Sequence, residues 1–151
     1  MNTNARNSPP LFSAADSVSP GGNSPDKPVD VLVVDDEVAI RQVICAMLVS
    51  LGHRAYTAQD GVEAMRLISA ADSPKYDILL TDFRMPGLLG DELARRFREA
   101  FPKAGIIVMS GESPQIPALP RCEFLSKPFH AGALEARVRA VLHNGSGEAG
   151  G

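Results

Sequence analysis

Tyr76-Asp-Ile-Leu-Leu-Thr-Asp82 reads as a strand with a carboxylate at its end, and an earlier run, Val31-Leu-Val-Val34, runs out into Asp35-Asp36. If the two are neighbouring parallel strands, three carboxylates meet at one edge of a sheet. Such a cluster wants a divalent cation. Hard oxygen ligands in a partly hydrated site suit Mg²⁺, which keeps several waters and takes one or two carboxylates directly. A third run, Gly105-Ile-Ile-Val-Met109, ends in Ser110-Gly111, and a fourth, Phe124-Leu-Ser126, ends in Lys127-Pro128. The acid pair, the single acid, a hydroxyl and an amine therefore all fall at the carboxyl ends of strands.

Between these runs the pattern turns helical, the signature of a parallel sheet with crossover helices. Ile40, Ile44, Met47, Leu48 and Leu51 recur at helical spacing, and Gly52 offers a left-handed stop. After a short strand from His53 to Ala58, Asp60 can cap a helix whose Val62, Met65 and Ile68 share a face. Met85-Pro-Gly-Leu-Leu-Gly90 is a glycine-rich loop, followed by a helix from Asp91 to Ala100 with Leu93, Ala94 and Phe97 inward. A last helix begins near Ala131 and buries Leu134, Val138, Val141 and Leu142. The expected fold is α/β, a doubly wound parallel sheet of flavodoxin-like type, with ligands bound outside the carboxyl ends of the strands. Residues 1–28 are rich in Asn, Ser, Pro and Gly and read as a disordered arm, 29–143 as the folded domain, and 144–151 as a flexible tail.

The chain has 151 residues, enough for one domain with a real core. A formal charge of −3 lacks the clustered basic footprint of a nucleic-acid binder. No apolar stretch approaches the roughly 20 residues that span a bilayer, so the cytoplasm is the expected address. Cys45 and Cys122 have no metal-ligand spacing and read as reduced thiols. His53, His130 and His143 fall at element boundaries, where capping or solvent roles are expected. No Gly-x-Gly-x-x-Gly or Walker-type loop supports nucleotide binding.

Clustered carboxylates repel one another unless a cation or a lysine compensates. Mg²⁺ and Lys127 fill that role. A carboxylate can also attack phosphorus to form an aspartyl phosphate, with positioning and electrostatics supplying most of the catalysis. Asp82 suits this, because the loop through Pro86, Gly87 and Gly90 leaves it open to a phosphodonor. Asp35 and Asp36 would hold the metal, Lys127 would pair with one phosphoryl oxygen, and Ser110 would donate its hydroxyl to another. Each motif alone has an ordinary reading: an N-cap cluster, a turn aspartate, a solvated lysine. Four independent strand ends carrying the groups that metal-assisted phosphoryl transfer requires make the joint reading the stronger one.

Through Asp35-Asp36-Glu37, Thr81-Asp82-Phe-Arg-Met-Pro-Gly87, Met109-Ser-Gly111 and Lys127-Pro-Phe129, the chain resembles a response-regulator receiver domain of two-component signalling. The resemblance covers Val29 to about Leu142 and implies a five-stranded parallel sheet with helices on both sides. It implies Asp82 as phosphoacceptor and Mg²⁺ bound by Asp36, Asp82 and the backbone carbonyl of Arg84, with Asp35 assisting through water. Ser110 and Lys127 match the family's hydroxyl and lysine, and Phe124 its switch aromatic. The implied partners are a sensor histidine kinase or phosphotransfer protein and an unknown downstream protein. Helix one with its adjoining loops is the implied docking surface for the phosphodonor.

Three departures are visible, the smallest being Phe124, where many relatives carry tyrosine, so that a switch there would be read through packing. The stretch from Ser110 to Lys127 is short and carries Pro114, Pro117 and Pro120, each of which removes an amide donor and disfavours helix before it. The crossover helix between strands four and five, helix four of the family, is therefore expected to be short or absent. Arg84, next to the acceptor, is expected to meet Glu112 across the site and tune the phosphoryl lifetime. With no output module after Leu142, a stand-alone regulator signalling through protein contacts, or a relay or phosphate sink, is the expected role. The rivals are a receiver-fold binding module that is never phosphorylated, the receiver piece of a longer hybrid kinase, and a small Mg²⁺-dependent phosphohydrolase. The last usually wants an acid two residues after its nucleophile, where this chain has Arg84.

Overall fold

The structure, a computed structural model, describes residues 28–112 and 118–147. The expected arm, save Pro28, and the last four residues of the expected tail lie outside the described residues. Five strands, β1 (Asp30–Val34), β2 (Arg54–Ala58), β3 (Ile78–Asp82), β4 (Gly105–Ser110) and β5 (Cys122–Ser126), alternate with helices α1 (Val38–Ser50), α2 (Gly61–Ser69), α3 (Gly90–Ala100) and α4 (Ala131–Gly147). The strands form one parallel sheet in the order β2-β1-β3-β4-β5. This is the doubly wound sheet expected from the alternation. Among the described residues no helix joins β4 to β5, and 113–117 lie outside them.

Side chains alternate across the sheet, so each strand feeds two cores. Val31, Val33, Ile78, Leu80, Ile107 and Met109 point to one face, where Ile44, Cys45 and Leu48 of α1 meet Leu134, Val138 and Val141 of α4. Leu32, Val34, Leu79, Ile106 and Val108 point to the other, against Ala64 and Ile68 of α2 and Leu93, Ala94 and Phe97 of α3. Burying each branched or aromatic side chain contributes roughly 1.5–3 kcal/mol, which locks the strand register and hence the level of every strand end. α1 stops where Gly52 takes φ +96°, and Asp60 caps α2 by accepting from Glu63 N at 2.8 Å.

Where helix four would pack, Leu119 leans on the α2/α3-side core. Arg98 fastens this connection to the end of α3, donating to the carbonyls of Pro102 (2.9 Å) and Pro120 (2.6 Å). Tyr76, just before β3, lies edge-on to Tyr56 and Phe101 with centroids 5.5 and 5.8 Å away. No helix among the described residues is long and apolar enough to cross a membrane.

Three local expectations change. Val62 is 57% exposed, and the inward face of α2 is Gly61, Ala64 and Ile68, one residue round from the apolar spacing. α4 continues beyond His143 to Gly147. His53 neither caps nor faces solvent: it is buried, and its Nδ1 accepts from Val29 N at 3.2 Å. His130 does cap, accepting from Ala133 N at 3.3 Å.

Burial holds the His53 pKa below 6.5, partly opposed by Glu135 and reinforced by Arg54. Below pH 6.5 the unfolded chain takes a proton that the folded chain does not, so stability present above that value is lost as pH falls toward the folded pKa. Comparing urea midpoints at pH 7.5 and 5.5 checks this. Wild type should lose more stability on acidification than His53→Gln, and equal losses would remove His53 from the account.

Candidate functional site

β1 and β3 are adjacent, and the chain leaves them toward opposite sides of the sheet, so the point where strand order reverses lies between their carboxyl ends. Asp35 and Asp36 follow β1, and Asp82 closes β3. Ligand atoms of the three acids lie within 4.8 Å of one another. Asp35 is fully buried, Asp82 is 9% exposed and Asp36 faces solvent. Lys127, arriving from β5, places Nζ 3.0 Å from Asp35 Oδ2 and 3.2 Å from Asp82 Oδ1.

Backbone geometry holds the acids at this height. Asp35 Oδ1 accepts from Glu37 N at 2.9 Å, and Arg41 Nη1 donates to the Asp35 carbonyl at 2.6 Å. Behind Asp82, Phe83 N bonds to Met109 O and Gly90 N to Phe83 O, both at 2.9 Å, so the glycine-rich loop is pinned where it leaves and rejoins the site. A Cβ on Gly90 would press on the Asp82 carbonyl oxygen and come within 2.8 Å of Phe83 Cα. Gly90→Ala is therefore expected to lower stability by about 1–3 kcal/mol in urea unfolding, as overpacking does. An unchanged midpoint would show that the loop yields freely.

Burial raises the Asp82 carboxyl above its ordinary range; Lys127 opposes this, while Asp35 and Asp36 add to it. For Lys127, burial works against the charge, but the bonds to Asp35 and Asp82 win and its pKa is raised. One ammonium thus bonds two of the three clustered carboxylates, Asp35 and Asp82. The donor set is all oxygen, with one acid open to water. That donor chemistry fits Mg²⁺.

The other predicted residues lie around this cluster. Ser110 ends β4, buried, its Oγ accepting from Glu112 N at 3.1 Å. Arg84, on the loop after Asp82, and Glu112, past β4, meet at 3.3 Å with side chains 72% and 76% exposed. Phe124 is half-buried opposite Val108 in the ladder, on the sheet face that Ser110 shares, and its carbonyl accepts from Arg137 Nε at 2.7 Å. Cys45 and Cys122 are free thiols, and burial pushes each to about 11, so neither is a ready nucleophile. Arg41 was not legible as a site residue, and Gly90 was read only as part of the loop that leaves Asp82 open. The only hint of Arg41 is its place one turn into the helix after the acid pair.

A doubly wound α/β protein with a carboxylate and lysine site at its switch point is the class that this fold and site define. The response regulator receiver domain profile matches residues 31–139, and the chain belongs to that family. It is 32% identical over 125 residues to the cell cycle transcriptional regulator CtrA of Caulobacter vibrioides, covering 79% of this chain and 52% of that protein. The chain thus spans about half the length of the curated relatives it matches. Among solved structures, a response regulator receiver protein from Sinorhizobium medicae superposes with TM-score 0.70 at 25% identity, covering 77% of this chain and 95% of that one. The response regulator TrrA of Thermotoga maritima, solved in complex with Mg²⁺ and BeF, gives TM-score 0.65 at 31% identity, covering 75% and 98%. Receiver domains are signalling modules that bind Mg²⁺ at an acidic pocket and interact with histidine kinases or phosphotransfer proteins.

Proposed function

We propose that Asp82 accepts a phosphoryl group from a phosphohistidine of a sensor histidine kinase or phosphotransfer protein, in a Mg²⁺-dependent reaction. The observation that carries this reading is the pairing of a nearly buried Asp82 with Lys127 beside two further acids. An Asp82 carboxylate oxygen attacks phosphorus, the donor's P–N bond breaks, and the imidazole leaves with the bonding pair. Lys127 takes one phosphoryl oxygen and Ser110 another, while Asp35 keeps the ammonium charged and in place. When bound, Mg²⁺ supplies the charge that offsets the phosphoryl oxygens and the neighbouring acids. Asp36, Asp82 and the Arg84 carbonyl would hold it.

The phosphorylated state is read by a downstream protein or passed on in a relay, inside the cytoplasm. Ser110 and Phe124 form the switch, and since Phe124 has no hydroxyl, packing rather than a new hydrogen bond transmits it. The donor docks on α1, where Ile40, Val43, Met47 and Phe129 line a groove of about 380 Å³. Lys127 lines the same groove, so a helix seated there would lie beside Asp82.

Intact mass after incubation with Mg²⁺ and acetyl phosphate tests the reading. A single phosphate adduct that EDTA prevents supports it; no adduct together with no Mg²⁺ binding would move the reading to an unphosphorylated binding module. Arg84 and Glu112 then set the adduct's lifetime by screening the mouth of the site. Opening the pair with Arg84→Ala or Glu112→Ala is expected to change the loss rate several-fold, although an exposed pair contributes only about 0–1 kcal/mol to stability. If labelling and loss rates both stay at wild-type values, the pair is a surface contact only.

A further inference from the structure

The turn carrying Asp35 and Asp36 sits where the sheet no longer holds the chain. The last ladder pairs of β1 are Val34 with Ala58 and Val34 with Thr81, and Asp35 adds one long bond, N to Ala58 O at 3.3 Å. The Glu37 side chain makes no cap on α1. The Asp35 carboxylate is fixed from two sides, by Glu37 N and by Lys127 Nζ. Those contacts settle the side chain of Asp35 but not the peptide that follows it. That peptide decides where Asp36 points, because Asp36 is exposed and packing does little to aim it.

Arg41 bonds to that peptide. Its backbone N donates to Glu37 O at 3.1 Å, which places it one turn into α1, and helical side chains lean back toward the amino terminus. Nη1 reaches the Asp35 carbonyl at 2.6 Å, a short charge-assisted bond. We infer that Arg41 is a positioning residue for the cation site: by holding the Asp35 carbonyl it aims Asp36 at Asp82, without touching the metal. This rests on the Mg²⁺ reading of the acid cluster.

Charge and position act in opposite directions here. A guanidinium near the acids repels a dication, so if charge were its whole effect, removing Arg41 would tighten Mg²⁺ binding. If position dominates, removal loosens it. Groups that orient metal ligands typically change affinity by 10–100-fold, and a residue acting through backbone belongs at the low end. Lysine keeps the charge but offers a compact point donor instead of a planar fork, so it restores position only in part.

The experiment is calorimetric titration of the whole chain with Mg²⁺, comparing wild type with Arg41→Ala and Arg41→Lys, and with Arg95→Ala as a distant arginine, paired to Asp91 on α3. Melting in EDTA reports whether each variant is folded. Mg²⁺ affinity should fall about tenfold in Arg41→Ala. It should fall by less in Arg41→Lys and hold in Arg95→Ala. An affinity equal to or tighter than wild type in Arg41→Ala overturns the proposal and leaves the Mg²⁺ reading standing. A wild-type chain that binds no Mg²⁺ overturns both. Should Arg41→Ala not fold, Arg41→Lys decides: weaker binding supports positioning, and wild-type binding removes it.

Discussion

Asp82→Asn is expected to take up no phosphate from acetyl phosphate where the wild-type chain gains one phosphoryl group, and yet to melt higher than wild type in EDTA. The first result follows from chemistry. A neutral amide of the same size is not a nucleophile toward phosphorus. The second follows from the cost of holding a carboxylate there. Burial, with Asp35 and Asp36 adding to it, raises the Asp82 pKa above the 3.8 of an ordinary carboxyl despite Lys127.

Between the unfolded and folded values the native chain holds a proton that the unfolded chain lacks, so metal-free stability falls as pH rises through the folded value. Above the folded value wild type carries that penalty and the amide does not. Lys127 still has Asp35, 3.0 Å away in the wild-type structure, as its partner in the variant. Mg²⁺ should narrow or reverse the gap, since a ligand that binds only the native state at 100 times its Kd stabilises by about 2.7 kcal/mol. Melting curves with EDTA and with Mg²⁺ read this crossing. A labelled Asp82→Asn places the acceptor elsewhere, and a variant that melts lower in EDTA means Lys127 already satisfies the Asp82 charge.

Lys127→Met has the largest expected effect on the metal-free fold, a loss of about 3–5 kcal/mol in urea unfolding, because it leaves buried carboxylates without their cation. Asp35 is fully buried, its Oδ2 faces the ammonium, and the lysine side chain is itself only 20% exposed. Methionine keeps the apolar stem and removes the charge, so the loss reads electrostatics more than packing. Added Mg²⁺ should recover part of this stability, and phosphate labelling should remain well below wild type, since one phosphoryl oxygen then lacks its partner. A loss under about 1 kcal/mol would mean that the acids escape by protonation or hydration.

The strands and their polar ends were legible because the information is local. Val31 to Val34, Ile78 to Leu80 and Gly105 to Met109 are apolar on both faces, as strands covered by helices on both sides must be. The prolines between Ser110 and Lys127 also spoke locally, through their missing amides and fixed backbone angles. Val62 misled because the sequence gives a helix's apolar spacing but not its rotation. With Gly61 packed under Leu88, where even a Cβ would lie 2.6 Å from the Leu88 Cβ, the helix turns Val62 outward. His53 carried no local sign of burial, since its acceptor role is toward Val29, just before β1 and 24 residues away.

The sequence by itself determined that acids, a hydroxyl and a lysine stand at the carboxyl ends of parallel strands, because strand direction and alternation follow from local pattern. Only the tertiary structure decided which of them meet. Asp35 and Lys127 are 92 residues apart and Asp82 and Lys127 are 45, and they touch because the sheet takes the order β2-β1-β3-β4-β5. Strand order is set by which crossover packs on which face, a long-range balance of buried surface that no window of sequence contains. The hold of Arg41 on the Asp35 carbonyl is of the same kind, since a side chain's backbone partner is chosen only when helix and strand have docked.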